Sequence, residues 1–170
     1  MKPEAVTVRG ERPGDYAAIS EVNDLAFSGG EESALINSLR RDGYVIVSLV
    51  AEVPGAGVVG HILFSDLPIT GPDQSVSGAA LAPMAVHPDW QQRGIGSRLV
   101  AEGLIRCREQ GIAAVVVVGH PAYYHRFGFS APLAQGLEAP FSGEAFMALE
   151  LEPGALAAGG RVCYPPPFGC

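Results

Sequence analysis

Apolar and polar positions change period along the chain, and each change marks an element. Val6-Thr7-Val8-Arg9 reads as a short strand. Arg12-Pro13-Gly14-Asp15 opens a helix, and Tyr16, Ile19, Val22, Asn23 and Ala26 continue it at helical spacing. Phe27-Ser28-Gly29-Gly30 breaks it, and Glu31 to Arg40 forms a second helix with Leu35, Ile36 and Leu39 on one face. Val45–Val53 and Val58–Leu67 are apolar runs around the turn Pro54-Gly55-Ala56-Gly57, which predicts a hairpin. Residues 68–77 read as a loop. Gly78–His87 predicts a strand and Gly94–Gln110 a helix, with Ile95, Leu99, Val100, Leu104 and Cys107 inward and Gly111 as its cap. Ala113–Gly119 is apolar throughout, as a strand covered on both faces would be. Strand, helix and strand in this order make one βαβ crossover, so these two strands are expected to be parallel. Pro121–Phe127 reads as a short helix and Phe141–Leu151 as a last strand. Residues 152–170, with Pro165-Pro166-Pro167, read as a tail that is extended against the surface or disordered.

Length and charge narrow the picture. The 170 residues suit one domain, read as 1–151 followed by the tail 152–170, and can bury a core without metal or disulfide staples. Net charge is −7, and the sole lysine is Lys2. That argues against a nucleic-acid partner, which needs clustered Lys and Arg. No apolar run approaches the ~18 residues of a membrane span. Met1–Thr7 lacks the apolar stretch of a secretory leader, so a cytoplasmic protein with no membrane partner is expected. Cys107, Cys163 and Cys170 are odd in number and widely spaced, which does not suggest a disulfide framework. Cys107 reads as a core residue and the other two as free thiols. His87, His120 and His125 match no ligand spacing, and no metal is expected.

The segment Met84-Ala85-Val86-His87-Pro88-Asp89-Trp90-Gln91-Gln92-Arg93-Gly94-Ile95-Gly96-Ser97 carries the chemistry. A strand ends, a short loop reaches two glycines, and a helix begins. The first N–H groups of a helix lack internal partners and lie at the positive end of its dipole. Glycines let an anion come close to the backbone, so the turn suits a phosphate or pyrophosphate. A P-loop would need Gly-Lys-Ser/Thr, and a dinucleotide fingerprint would need glycine at Leu99; neither is present. The remaining pattern is Gln91-x-x-Gly94-x-Gly96.

With its surroundings, that pattern resembles the GNAT superfamily of N-acetyltransferases. The strand Ala82-Pro83-Met84-Ala85-Val86-His87-Pro88 precedes the turn, and the helix leads through Gly111 into an apolar strand. Pro121-Ala122-Tyr123-Tyr124-His125-Arg126-Phe127-Gly128-Phe129 then resembles the superfamily's Tyr-x-x-x-Gly-Phe segment. The resemblance spans about residues 4–151. It implies a mixed α/β fold: a strongly twisted sheet of about six to seven strands flanked by helices, with a central parallel pair splayed apart. It also implies direct acetyl transfer from acetyl-CoA, as co-substrate and without metal, to a primary amine of a small molecule, peptide or protein. The expected cofactor-binding residues are Met84, Ala85, Val86, Gln91, Gln92, Arg93, Gly94, Ile95, Gly96, Ser97 and Tyr124. A backbone N–H near Met84–Val86 is expected to polarise the thioester carbonyl. Tyr124, four residues before Gly128, is expected to be the general acid for the leaving thiolate. Tyr123 is expected to point elsewhere and pack. The base stays open between Glu31, Glu32, His120 and a chain of water molecules. The other reading is a catalytically silent acyl-CoA sensor or interaction module of the same fold. A monomer or a homodimer fits either.

Overall fold

The computed structural model describes residues 5–170. Residues 1–4, with Lys2 and part of the start read for a leader, lie outside it. The main sheet has six strands: β1 (Thr7–Gly10), β2 (Val45–Val53), β3 (Gly57–Asp66), β6 (Gly78–Val86), β7 (Ala114–Val118) and β9 (Phe146–Glu150), neighbours in that order. The β2–β3 hairpin is antiparallel and β6–β7 is the parallel pair, both as expected. Short strands β4 (Ile69–Thr70), β5 (Ser75–Val76), β8 (Leu137–Glu138) and β10 (Gly160–Val162) form a second sheet in the order β5-β4-β10-β8.

Alternate residues of β2 and β3 feed opposite faces of the main sheet, as the two-residue period of a strand requires. Leu49, Ile62 and Phe64 pack against Ile95, Leu99 and Cys107 of α3 (Ile95–Glu109). Gly103 of α3 gives way to Phe64: a Cβ there would lie 2.2 Å from the ring. Val50 and Leu63 pack on the other face with Ile19 of α1 (Tyr16–Phe27) and with Ile36 and Leu39 of α2 (Glu31–Arg41). Cys107 is fully buried, while Cys163 and Cys170 are exposed thiols.

The central feature is a gap. β6 pairs with β7 only over Gly78–Ala80 against Ala114–Val116. Beyond that, β6 stays with β3 as far as Val86, and β7 stays with β9 as far as Val118. The β3–β6 register slips between Ile62 and Phe64, opposite Met84 and Leu81. The extra β6 residue falls at Ala82-Pro83. A bulge bends its strand, and proline supplies no N–H for a ladder. The edge of β6 facing β7 is therefore unpaired beyond Ala80.

Three readings need correction. Residues 68–77 are not a plain loop but contain β4 and β5, with Ile69 fully buried. The segment 152–170, expected as an extended or disordered tail, supplies β10, paired with β4 and β8, and buries Leu156 and Val162. Two- and three-residue strands are too short for a period to be read, and the apolar residues of 152–170 are spaced among prolines and glycines. The last strand of the main sheet is also shorter than Phe141–Leu151.

Candidate active site

At the end of β6 the chain turns through a 3-10 segment, Pro88–Trp90. His87 Nδ1 accepts a hydrogen bond from the Asp89 backbone N–H (3.1 Å), and Gln91 Nε2 donates to the Val86 carbonyl (3.0 Å). The Gln91 side chain thus ties the turn to the strand. Gln92 and Gly94 adopt left-handed backbone, with φ of 62° and 81°. This conformation costs nothing special at glycine and on the order of 1 kcal/mol at a residue with a Cβ. Gly94 is the N-cap of α3 and makes no side-chain cap. The first return bond is Arg98 N–H to Gly94 C=O, so the N–H groups of Ile95, Gly96 and Ser97 have no partner within the helix. They sit at the positive end of a fifteen-residue helix.

These groups line a cleft of about 900 Å³. Met84, Ala85 and Val86 form one wall, from the unpaired part of β6. His120, Tyr123 and Arg126 form another, with Ala26 and Phe27 from the end of α1. His120, at the start of α4 (Pro121–Tyr124), follows β7 and is exposed.

The adjacent tyrosines face different ways. Tyr123 lines the cleft, and its hydroxyl lies 3.3 Å from Ser97 Oγ. It is therefore not only the packing residue expected from the sequence. Tyr124 is 8% exposed, with its ring edge-on to Phe129. The ring lies where a side chain at residue 119 would be: a Cβ on Gly119 would meet Tyr124 Cε2 at 2.5 Å. Burial pushes the Tyr124 phenol up to about 12.

Of the residues expected at the site, Met84, Ala85, Val86, Gln91, Gln92, Gly94, Ile95, Gly96, Ser97 and His120 lie together on the cleft. Tyr124 and Arg93 are not among the residues that line the cleft; the Arg93 guanidinium lies 4.8 Å from the centre of the ring of Trp90, which does line it. Glu31 and Glu32 stand in the first turn of α2, and neither lines the cleft. Arg126 and Phe27 were not expected. Arg126 lies within the segment that carries the Tyr-x-x-x-Gly-Phe pattern, but nothing in the pattern says where it points. Phe27 ends α1, whose Ile19 and Val22 are buried, and it remains 43% exposed.

A family model for the acetyltransferase (GNAT) domain matches residues 43–131. That stretch runs from β2 to the start of α5 (Ala131–Ala134) and contains the cleft-lining residues other than Ala26 and Phe27. The chain belongs to the GNAT acetyltransferase family. It is 38% identical over 122 residues to the uncharacterized N-acetyltransferase YhbS of Escherichia coli K12, covering 72% of each chain. It is 39% identical over 131 residues to YjhQ of the same organism, another uncharacterized N-acetyltransferase, covering 75% of this chain and 71% of that one. The crystal structure of E. coli YhbS with CoA superposes with a TM-score of 0.88 at 32% identity, over 98% of this chain and 93% of that one. A GNAT family acetyltransferase from Brucella melitensis, solved with acetyl-CoA, gives 0.79 at 33% identity, over 96% and 97%. Among the described residues of this GNAT chain, no helix is long and apolar enough to cross a membrane, and no three His, Cys, Asp or Glu side chains are grouped to hold a metal ion.

Proposed function

We propose that the cleft binds acetyl-CoA and that the chain transfers its acetyl group directly to a primary amine. One observation carries this reading: an unpaired strand edge, β6 beyond Ala80, leads to the unpartnered N–H groups that open α3. An amide-bearing arm can pair with the first as an added strand, and a pyrophosphate can accept from the second. When bound, acetyl-CoA supplies the acetyl group as an activated thioester with a thiol leaving group.

The side chains and backbone then have distinct tasks. A β6 backbone N–H between Met84 and Val86 stabilises the carbonyl oxygen as it gains negative charge. The amine nitrogen bonds to the carbonyl carbon and loses a proton, and His120 on the cleft wall is assigned to accept it. The carbon–sulfur bond breaks, and Tyr124 gives its phenolic proton to the departing sulfur. A phenol held near 12 would protonate a thiolate in water unfavourably. Desolvation acts on both partners, however: burial alone pushes the Cys107 thiol of this protein up to about 12. A thiolate shielded from water is likewise made more basic, which narrows the difference between the two groups.

Tyr124→Phe tests this assignment. The variant should bind acetyl-CoA as the wild type does, while kcat for acetylation of a responsive amine falls by about a hundredfold, the scale of a lost general acid. An unchanged kcat would remove Tyr124 from that role.

A further inference from the structure

The cleft must hold an anion, yet the protein carries an excess of negative charge, −7 overall. Among the described residues, Arg126 is the one Lys or Arg that lines the cleft, and no Asp or Glu lines it. Several other arginines are bound to carboxylates: Arg9 to Asp15, Arg40 to Glu11, Arg106 to Glu102 and Arg161 to Glu138. Arg126 instead stacks its guanidinium 4.3 Å above the centre of the Tyr123 ring and donates from Nε to the Tyr123 carbonyl (3.2 Å). Its Nη2 is directed at Ser97 Oγ, 3.4 Å away. The same hydroxyl lies 3.3 Å from Tyr123 Oη. A guanidinium oriented by stacking and by one backbone carbonyl, with its remaining N–H groups at the first turn of α3, is pre-organised for an anion.

We infer that Arg126, held by Tyr123, is a pyrophosphate-binding residue of this chain, completing from α4's side the site that the α3 backbone opens. This rests on the acetyl-CoA reading above. Pyrophosphate is favoured over a terminal phosphate because Nη2 points to Ser97, whose own N–H is among the unpartnered donors. Arg93, expected from the sequence among the cofactor-binding residues, instead stacks on Trp90 and does not line the cleft. The second glycine of the turn fits the same picture. A Cβ on Gly96 would lie 3.0 Å from Tyr123 Oη, so glycine there leaves room for the tyrosine that orients Arg126.

Calorimetric titration of Arg126→Gln and Arg126→Lys with four probes tests the inference: CoA, acetyl-CoA, dephospho-CoA and acetyl-pantetheine. Arg126→Gln should weaken CoA, acetyl-CoA and dephospho-CoA by about tenfold to a hundredfold, the scale of a lost charge-assisted hydrogen bond. Its affinity for acetyl-pantetheine, which has no pyrophosphate, should match the wild type, which also shows that the cleft is intact. The salt dependence of CoA binding should become shallower. Arg126→Lys should fall between the two, keeping charge but losing the planar fork. Equal CoA affinity in Arg126→Gln and wild type would overturn the inference. So would a loss seen with CoA but absent with dephospho-CoA, which would assign Arg126 to the terminal phosphate. A wild type that binds none of the four would instead overturn the acetyl-CoA reading itself.

Discussion

Gly119 and Tyr124 show how a single missing Cβ can set the place of a side chain, here that of the proposed general acid. Gly119 follows the last residue of β7, and the Tyr124 ring fills the space beside it. A Cβ at residue 119 would stand 2.5 Å from Cε2 and 3.0 Å from Cδ2 of a rigid ring. The ring would have to shift, carrying its hydroxyl with it. Gly119→Ala should therefore lower kcat by about tenfold or more, since small misplacements of a reacting group are costly. It should also destabilise the fold by about 1–3 kcal/mol, as overpacking does. Steady-state kinetics and denaturant unfolding would read both effects; wild-type values for both would show that Gly119 does not hold the ring. At this scale the sequence was only partly informative. The spacing to Gly128 singles out Tyr124 from Tyr123, but it cannot show that Tyr123 is the one lining the cleft or that Arg93 lies on Trp90. Those orientations depend on which helix turn each residue occupies and on neighbours far away in the chain.

Among the elements, legibility followed length and period. The long segments, from α1 to β3 and from β6 to β7, carry a helical repeat or a sustained apolar run, and each lies within a residue or two of where the pattern predicts it. The parallel β6–β7 pair follows from the crossover alone. The splay between them does not, because it depends on a register slip in β6 at Ala82-Pro83 that only the pairing with β3 reveals. The second sheet was hidden for another reason. Its strands are two or three residues long and come from Ile69, Ser75, Leu137 and Gly160 onwards, widely separated positions whose common burial is a tertiary fact. The C-terminal 3-10 turn, Pro166–Phe168, illustrates this further: Phe168 packs against both the second-sheet core and the α1–α2 core, linking parts that the sequence treats as unrelated.

Across the whole molecule, a buried polar chain ties the α1–α2 layer to the main sheet. His61 of β3 is fully buried. Asn23 Nδ2 donates to the Ile19 carbonyl (2.9 Å) and faces His61 Nδ1 (3.4 Å), so Nδ1 is the acceptor and Nε2 carries the proton. Nε2 lies 2.9 Å from Ser48 Oγ, which donates to Glu11 (2.7 Å), and Arg40 of α2 pairs with Glu11 (2.8 Å). Protonation at Nδ1 would set a donor against a donor. Burial, reinforced by Arg40 and only partly offset by Glu11, pushes the His61 imidazole down from 6.5 to about 4. Because the folded value lies below the unfolded one, the stabilisation is fully present above pH 6.5 and is lost as pH falls towards 4. The loss approaches about 3 kcal/mol at 1.36 kcal/mol per pH unit. Unfolding free energies across that window should slope accordingly, and His61→Gln, which keeps a donor for Ser48 but does not titrate, should flatten the slope. An identical slope in the variant would show that His61 is not the group responsible.

The most direct measurement is the thermal unfolding of the purified protein with acetyl-CoA, CoA or ATP, all at one concentration, one hundred times the acetyl-CoA dissociation constant. Binding to the folded state alone stabilises by about 2.7 kcal/mol at that excess, or roughly 5–11 °C for a chain of this size. The expected result is a shift of that order with both CoA species and none with ATP, because only the CoA species carry an arm to pair with the free edge of β6. No shift with either CoA species, or an equal shift with ATP, would contradict the assignment of the β6–β7 gap and the α3 turn as an acetyl-CoA site.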